Sequence, residues 1–388
     1  MSILENRRHR REFIRVGTLT GMAVLVVSCA PSAAPAPAAP APGGSAPVGK
    51  ARWETDWDKL VVDAKREGKL SAITGVGAGY RTAFDDFQTA FGITVEHAGM
   101  NASTFAPRAL QERKGGIYSY DVMIQPPTSI LATLKPEGVL DPIQPVFFRP
   151  DVLDDKVWLG GFKAGLTDPE AKWAYGFGLE KARSYWINLN LVKDGEITKV
   201  EDLLDPKWKG KIIAGDPRLG GGGWAATAIR LRAGDDSIMK KLFKDQEVAF
   251  NRELRPRLEA LIKGQYAIQI GNLPPPFTEE FEQGGLMKHI KHIEIDGAEY
   301  YGAGNNIAFI FNRPPNPNAA KLYLNWLLTK EGQTLWNKRV SSNSRRQDVE
   351  PGDPRLVLTP GKKYLQIDAP ETYAMVEKTY DISKEVLK

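Results

Sequence analysis

The spacing of hydrophobic residues changes repeatedly between two periods in the first half of the chain, which predicts alternating helices and strands. Over residues 53–68 the apolar positions fall three or four apart, as on one face of a helix. Residues 69–74 form a short apolar run that is typical of a buried strand. The same strand and helix patterns recur over 93–114 and 120–134. Strands that alternate with helices predict an α/β fold with a mostly parallel sheet, whose ligands lie at the carboxyl ends of the strands.

In the second half of the chain, long aromatic runs come first, and predicted helices and strands follow them. Residues 173–192 contain long aromatic, alternating runs of the kind that pair and cross between lobes. Helical patterns follow over 237–250 and 254–263, and apolar strands over 266–270 and 307–311. At 388 residues the chain is long enough for two domains of ordinary size.

One glycine-rich stretch, residues 209–230, combines a strand, a break and a helix start. Residues 211–214 form the strand, four glycines occupy Gly220 to Gly223, and an alanine-rich helical segment begins at Trp224. A glycine run that opens a helix presents unpaired backbone N–H groups at the positive end of the helix dipole. We therefore expect an anionic or strongly polar ligand group at Gly221, Gly222 and Gly223, with Trp224 as one wall of its site.

The first half carries a similar but weaker element. The strand over 69–74 runs into a glycine-rich turn that contains Gly77 and ends at Tyr80, and a helix begins at Arg81. Tyr80 stands where a dinucleotide-binding fingerprint requires glycine, so the turn is not one of those. After the next buried strand, Gln125 and Thr128 lie at the same predicted edge, where each can bond a ligand or cap a helix.

Charge and cysteine content exclude several functions. The chain has 388 residues and a formal charge of +5, but residues 1–28 hold five arginines and two glutamates, which leaves +2 for the remainder. A nearly neutral body argues against a nucleic-acid partner, which requires a concentrated basic face. The single cysteine, Cys29, excludes an intrachain disulfide or a cysteine metal cluster.

The first fifty residues indicate export. Arg10 and Arg11, followed by an aromatic, an aliphatic and a basic residue, resemble a twin-arginine signal peptide, and residues 16–27 are too short to span a bilayer. Cys29 follows this apolar segment as in a bacterial lipobox, which predicts lipidation at Cys29 and a lipid anchor. The Pro/Ala/Gly-rich residues 31–49 predict an extended tether of at most ~60 Å. We therefore expect an extracytoplasmic, membrane-anchored protein in the periplasm or on the outer cell surface.

Three segments of the body resemble a known family. They are EDLLDPKWKGKI at 201–212, NPNAAKLYLNWLLTKEGQ at 316–333, and residues 92–141 with the YDVM strand and the GVLDP run. They are similar to the extracellular solute-binding proteins of bacterial ABC importers, in the class that includes ferric-ion-binding periplasmic proteins. The resemblance implies a two-lobed type II periplasmic-binding-protein fold, with mostly parallel sheets joined by crossing hinge strands. It places lobe 1 at 51–173 and 300–345, and lobe 2 at 174–299 and 346–388.

The resemblance also implies a function. Such a protein captures a small solute between its lobes by hinge closure and delivers it to an ABC permease in the membrane. We expect a monomer without a cofactor or catalytic activity, and a small anionic solute, because two glycine-rich helix starts can face one crevice. Tyr301 and Asn305 are expected near the crossing, and Arg345 can reach an anionic group. The candidate ligand-binding residues are Gly77, Tyr80, Arg81, Gln125, Thr128, Gly221, Gly222, Gly223, Trp224, Tyr301, Asn305 and Arg345.

Two alternatives stay open. Ferric iron is the second candidate for the bound solute, and Tyr300 and Tyr301 are the residues that would coordinate it. Iron-binding members of the class carry adjacent tyrosines after the strand that corresponds to residues 266–270, where this chain has Leu273-Pro274-Pro275. A secreted lipoprotein hydrolase is an alternative of another class, but the chain has no G-x-S-x-G nucleophile motif. A sensor that docks on a membrane receptor is not separable from an importer component by sequence.

Overall fold

A computed structural model describes residues 50–388, which form one compact unit. The predicted export signal, the lipidation site Cys29 and most of the tether lie outside the described residues. The strands are β1 Lys69–Thr74, β2 Thr94–Gly99, β3 Val122–Ile124, β4 Leu140–Asp141, β5 Tyr175–Gly176, β6 Glu180–Lys181, β7 Tyr185–Asn188, β8 Ile212–Ala214, β9 Ala249–Phe250, β10 Ile268–Ile270, β11 Ile290–Ile293, β12 Tyr300–Gly302, β13 Ile307–Phe311 and β14 Leu365–Gln366.

Helices cover both faces of the sheets. The α-helices are α1 Arg52–Glu67, α2 Ala78–Phe91, α3 Ala102–Lys114, α4 Pro127–Thr133, α5 Pro150–Leu153, α6 Gly220–Ala233, α7 Leu254–Ile262, α8 Pro275–Gln283, α9 Pro317–Leu327, α10 Lys330–Val340 and α11 Tyr373–Val386. Short 3₁₀ turns lie at Gln144–Val146, Asp155–Val157, Phe162–Gly165, Val200–Leu204, Pro206–Trp208, Pro354–Leu356 and Pro370–Thr372. None of the helices between residues 50 and 388 is long and apolar enough to cross a membrane.

Two sheets with the same topology define two lobes. In lobe 1 the order is β2-β1-β3-β13-β4, and in lobe 2 it is β9-β8-β10-β7-β11. In each sheet the first three strands are parallel, and the fourth, β13 or β7, runs antiparallel to both of its neighbours. The predicted two-lobed α/β fold is confirmed.

Aromatic and aliphatic side chains fill the two cores, as their spacing predicts. In lobe 1, Phe84 and Phe87 of α2 pack at 5.2 Å between ring centres against Tyr323 of α9. In lobe 2, the alanine-rich helix α6 is buried from Gly223 to Arg230 and packs on α11. Small side chains allow α6 to lie deep between the sheet and α11, so its first turn is held rigidly.

The chain passes between the lobes three times. β5 pairs with β13 in lobe 1, whereas β7 belongs to the sheet of lobe 2. β12 pairs with β6 and β14 in a small separate sheet at the crossing, which we call the hinge sheet. The predicted lobe boundaries stay a prediction at the level of single residues.

One predicted helix is wrong at its end. Residues 237–250 were expected to be helical throughout, but the structure has a π-helical segment at Lys240–Asp245 and the strand β9. Glu247 adopts a left-handed conformation with φ of 53°, which ends the helix. Ala249 and Phe250 then pair in parallel with β8, so tertiary pairing overrides the local helical pattern.

Candidate functional site

The largest set of predicted site residues lines a cavity between the lobes, which we call the cleft cavity. Its volume is about 410 Å³, within the range of small-ligand sites. Lobe 1 contributes neutral polar side chains, and lobe 2 contributes the start of α6 and the charged side chains. The lining residues used below are Asn101, Thr128, Asn305, Gly221, Arg257 and Asn272.

The first turn of α6 offers three backbone donors to this cavity. The Gly223 N–H bonds the Leu219 carbonyl, but the N–H groups of Gly220, Gly221 and Gly222 have no acceptor among residues 50–388. These are the orphan donors of a helix start, and the helix dipole adds partial positive charge there. The strand, glycine run and helix start occur as predicted, and a helix start of this kind is suited to an anionic group.

The four glycines of this turn serve different purposes. Gly220 has φ of +35°, which disfavours a side chain. A Cβ atom on Gly222 would lie 2.4 Å from the Asp216 carbonyl oxygen, and one on Gly223 would lie 2.1 Å from the Tyr380 ring. A Cβ atom on Gly221 would meet nothing within 4 Å. Of these four glycines, Gly221 is the one that can be substituted with neither a clash nor a strained backbone.

A buried arginine, Arg257 on α7, lies beside this turn. Its side chain lines the cleft cavity, and the residue is only 4% exposed. A Cβ on Gly215 would lie 3.1 Å from both Arg257 Nη1 and Gly222 Cα, so the guanidinium and the start of α6 flank one turn. Nη1 donates to the Ile270 carbonyl at 3.3 Å. The guanidinium thus approaches the glycine donors closely.

Arg257 makes no ion pair with any carboxylate among the described residues. Burial lowers its pKa from 12.5 to about 10, which marks a cation that the protein only weakly compensates. Buried charges are normally paired, so this guanidinium is suited to pair with a ligand anion.

Two further arginines share one carboxylate next to it. Asp216 accepts from Arg218 Nε at 2.8 Å and lies 3.5 Å from Arg252. Burial alone would raise the pKa of Asp216, but the hydrogen bonds and charges of both arginines hold it below its ordinary value. Two arginines therefore share this carboxylate, and the acid Glu253 also lines the cavity. Among the described residues that line it, Arg257 is the cation that no carboxylate pairs.

Lobe 1 faces this charged side with uncharged groups. Asn305 lines the cavity and lies near Tyr80, because a Cβ atom on Gly75 would meet Asn305 Nδ2 at 3.5 Å and the Tyr80 ring at 3.7 Å. Tyr80 itself is 3% exposed and packs on Trp336 with ring centres 5.8 Å apart. Tyr80 therefore belongs to the core of lobe 1 and does not line the cavity. Thr128 lines the cavity directly.

Direct contacts join the lobes at the edges of the cavity. Thr128 of lobe 1 and Trp224 of lobe 2 both line the cavity, and the Tyr380 hydroxyl of α11 donates to the Gly220 carbonyl at 3.3 Å. On the other side, Asn101 donates to Glu253 at 3.3 Å. The two lobes thus meet around the cavity, as hinge closure requires.

Three predicted residues of lobe 1 lie outside the cleft cavity. Gly77 lines a neighbouring groove of about 600 Å³ between the N-terminus of α2 and helices α7 and α8. Arg81 is exposed and lines none of these cavities. Gln125 is fully buried, and its amide donates to the Met100 carbonyl at 2.9 Å. A residue after a strand can point inward or outward, and here Gln125 points into lobe 1.

The predicted residues at the crossing lie around a second cavity. Tyr301 and Arg345 line a space of about 340 Å³ beside the hinge sheet. Arg345 is buried and donates to three backbone carbonyls, those of Gly176, Leu159 and Gly161. Its guanidinium therefore holds loops together and does not serve as a ligand-binding group.

The adjacent tyrosines, Tyr300 and Tyr301, do not converge. The Tyr300 hydroxyl bonds Ser184 at 2.7 Å, and the Tyr301 hydroxyl donates to Gln366 at 2.9 Å. Neighbouring residues of a strand face opposite sides, which explains the separation. Residues 50–388 also contain no cluster of three His, Cys, Asp or Glu side chains that could hold a metal.

Sequence reasoning missed Arg257, Asn101 and Asn272. Arg257 did carry a signal, because it lies on the apolar face of α7, next to Leu258 and four residues before Leu261. A charged residue in such a stripe is buried and needs a partner. Asn101 and Asn272 carry no comparable signal, since asparagines in loops are common.

Comparison with known proteins gives a consistent fold. No protein-family model matches the chain, and no curated protein matches it by sequence. Among solved structures, iron-bound HitA from Pseudomonas aeruginosa is 15% identical with a TM-score of 0.61, covering 82% of this chain and 99% of HitA. The periplasmic binding protein P5PA is 17% identical with a TM-score of 0.64, covering 82% and 99%.

A third similar structure is the periplasmic binding protein AfuA from Actinobacillus pleuropneumoniae, bound to fructose-6-phosphate. It is 18% identical with a TM-score of 0.62, covering 81% of this chain and 98% of AfuA. At these identities the likeness establishes architecture. The chain has the two-lobed fold of periplasmic binding proteins.

Proposed function

We propose that this protein is the solute-binding component of an ABC importer and captures a small anionic solute in the cleft cavity. The observation that carries the proposal is the convergence of three free N–H groups, at Gly220 to Gly222, with the unpaired guanidinium of Arg257. Together they offer hydrogen bonds and net positive charge to a carboxylate, phosphate, phosphonate or sulfonate. The solved structures of the same fold include solute-binding proteins, one of them with a sugar phosphate.

In this proposal the protein acts by capture and release, without catalysis. Binding between the lobes favours the closed form by the difference in affinity between the closed and open forms. The predicted twin-arginine signal, lipidated Cys29 and tether would hold the protein extracytoplasmically, within reach of a membrane permease.

A ferric-ion-binding role is the second candidate, favoured by the iron-bound neighbour HitA. Its predicted ligands here, Tyr300 and Tyr301, bond Ser184 and Gln366 on opposite sides of β12. The cleft cavity instead contains an uncompensated cation at Arg257, which repels a metal ion. The anion is therefore the first choice.

A substitution at Gly221 tests the proposal with a matched control. Gly221→Asp places a negative charge at the proposed anion position without a steric clash, whereas Gly221→Asn adds a side chain of the same size without charge. We expect the Asp variant to bind anions at least tenfold more weakly than the Asn variant, because like charges repel strongly in a partly buried site. Isothermal titration with a panel of carboxylates, phosphonates and sulfonates measures both.

Thermal unfolding provides the companion measurement. An anion at a hundredfold excess over its Kd should stabilise the protein by ~2.7 kcal/mol. Equal affinities of the two Gly221 variants would remove α6 from the site. A stabilising response to ferric iron alone would favour the second candidate, and turnover of a small substrate without a transporter would contradict a pure binding role.

A further inference from the structure

A second, smaller cavity opens beside the cleft cavity and shares two residues with it. This side pocket has a volume of about 140 Å³ and lies between α4 of lobe 1 and α11 of lobe 2. Thr128 and Trp224 line both cavities. The two cavities are therefore adjacent and meet at these two side chains.

The walls of the side pocket are mostly apolar, unlike those of the cleft cavity. Apart from Trp224, its apolar lining consists of Pro127, Leu131, Ala132, Pro169, Ile367 and Val376. An apolar cavity of roughly 150 Å³ is large enough to accept benzene. The side pocket therefore has the size and the lining for a single aromatic ring.

One polar group in this pocket lacks a partner. The Tyr373 hydroxyl is buried and has no hydrogen-bond partner among the described residues, and Tyr373 lines the pocket. Buried hydroxyls are normally hydrogen-bonded, so Tyr373 leaves one unmet hydrogen bond behind the wall of the pocket. Three charged side chains, Lys135, Asp368 and Glu377, also line the pocket, and Asp368 accepts from the Ala303 N–H.

The anion-binding turn and the side pocket are close along one helix. Gly221 and Trp224 are three residues apart on α6, which corresponds to about 4.5 Å of rise. Trp224 is therefore placed one turn beyond the free N–H groups, with its indole against both cavities. One small molecule can contact both.

We propose that the solute is an aromatic organic anion, whose acidic group binds at the start of α6 beside Arg257 and whose ring lies in the side pocket against Trp224. This inference rests on the proposed function and narrows its solute class. Inorganic anions and small aliphatic acids would fill only the anion end. The apolar walls should increase the affinity for a ring, because burying apolar surface contributes about 25 cal/mol per Å² of favourable free energy.

Paired ligands separate the two contributions. We would titrate the purified full chain with benzoate and acetate, phenylphosphonate and methylphosphonate, and benzenesulfonate and methanesulfonate. The members of each pair share an acidic group and differ in the ring. The aromatic member of at least one pair should bind at least tenfold more tightly.

A blocking substitution locates the ring. Ala132 is exposed on α4 and lines the side pocket, so Ala132→Trp fills the pocket from its edge. This variant should bring the affinity ratio of the pair close to one without weakening the aliphatic member. Ala90→Trp, the same change at an exposed position of α2 that lines none of the cavities described above, should leave the ratio unchanged.

The outcomes distinguish this inference from the proposed function. Equal binding of both members of every pair would overturn the aromatic solute and leave the anion site intact. A preference for the ring that survives in Ala132→Trp would overturn its placement in the side pocket. Binding of no anion at all would refute the proposed function and this inference with it.

Discussion

Replacing Arg257 by methionine tests whether the buried guanidinium serves the ligand or the fold. Methionine fills a similar length of side chain without charge. Arg255→Met is a matched control, because Arg255 lies on the same helix, is exposed, and pairs with Glu280 at the surface. Both variants change the net charge equally, so long-range electrostatics do not distinguish them.

The structure sets the expected magnitudes. A hydrogen bond to a charged group is worth about 1.5–3 kcal/mol, so Arg257→Met should weaken anion binding roughly 10- to 150-fold. The free energy of unfolding of the ligand-free protein, in contrast, should not decrease in Arg257→Met. The pKa of Arg257 is lowered to about 10, which corresponds to an unfavourable contribution on the order of 3 kcal/mol from its charged form in the folded protein.

The substitution also removes two hydrogen bonds, to the carbonyls of Ile270 and Glu253, which at 3.3 and 3.4 Å are longer than a well-formed bond, so each is worth only ~0.5–1 kcal/mol. Because these losses are smaller than the relieved burial cost, the ligand-free variant should be at least as stable as the parent. A residue that costs stability and supports binding is typical of a functional site. Arg255→Met should change the free energy of unfolding by less than ~1 kcal/mol and the affinity not at all.

Two measurements decide the matter. Urea unfolding without ligand gives the stability, and isothermal titration with the tightest anion of the panel gives the affinity. Undiminished affinity in Arg257→Met would show that the anion binds elsewhere. A loss of more than ~2 kcal/mol in the free protein would show that Arg257 holds the glycine turns together, and the trade-off reasoning would be refuted.

Two further predictions concern stability alone. Gly222→Ala should lower the free energy of unfolding by about 1–3 kcal/mol, because its Cβ would lie 2.4 Å from the Asp216 carbonyl oxygen. Gly221→Ala should leave that free energy unchanged, because its Cβ meets nothing within 4 Å. Urea unfolding of both variants checks this, and equal stabilities would contradict the packing argument. Burial raises the pKa of Glu299 from 4.5 to about 8, so the folded protein holds this proton more tightly than the unfolded chain, and its contribution to stability is complete below pH ~4.5 and is lost as the pH rises through 8. Glu299→Gln should therefore make stability flatter between pH 5 and 8, with a gain at pH 8 of up to ~4 kcal/mol, and an unchanged pH profile would count against it.

The part of the site that the sequence revealed is the part encoded by neighbouring residues. The strand, glycine run and helix of residues 211–230 are contiguous, so their spacing alone predicts free N–H groups at a helix start. The two lobes were predicted from the family resemblance of residues 92–141, 201–212 and 316–333, each of which is also a contiguous segment. Individual glycines were not distinguishable, since the close approach of Gly222 to Asp216 depends on how α6 packs.

The remaining site residues depend on three-dimensional packing. Arg257 lies 36 positions after Gly221 and reaches it only because β8 and β10 are neighbours in the sheet. Tyr80 was expected to contact ligand but is buried behind Asn305, because its side chain points into the core of lobe 1. The direction in which a side chain points, at a residue that follows a strand, is set by tertiary contacts, and a single sequence does not reveal these contacts.

The distribution of charge in the cleft cavity gives an order to the proposed binding event. Among the described residues that line it, the charged side chains, Asp216, Arg252, Glu253 and Arg257, all belong to lobe 2, and lobe 1 offers only neutral groups such as Thr128 and Asn305. In the proposed binding event the anion meets its partners, the unpaired guanidinium of Arg257 and the start of α6, on lobe 2 even when the lobes are apart, so this electrostatic energy is gained before closure. Closure adds neutral hydrogen bonds from lobe 1, each worth about 0.5–1.5 kcal/mol. Since that increment is small, the closed form is favoured by a modest margin, and a permease needs only a comparable amount of binding energy to reopen the lobes and release the solute.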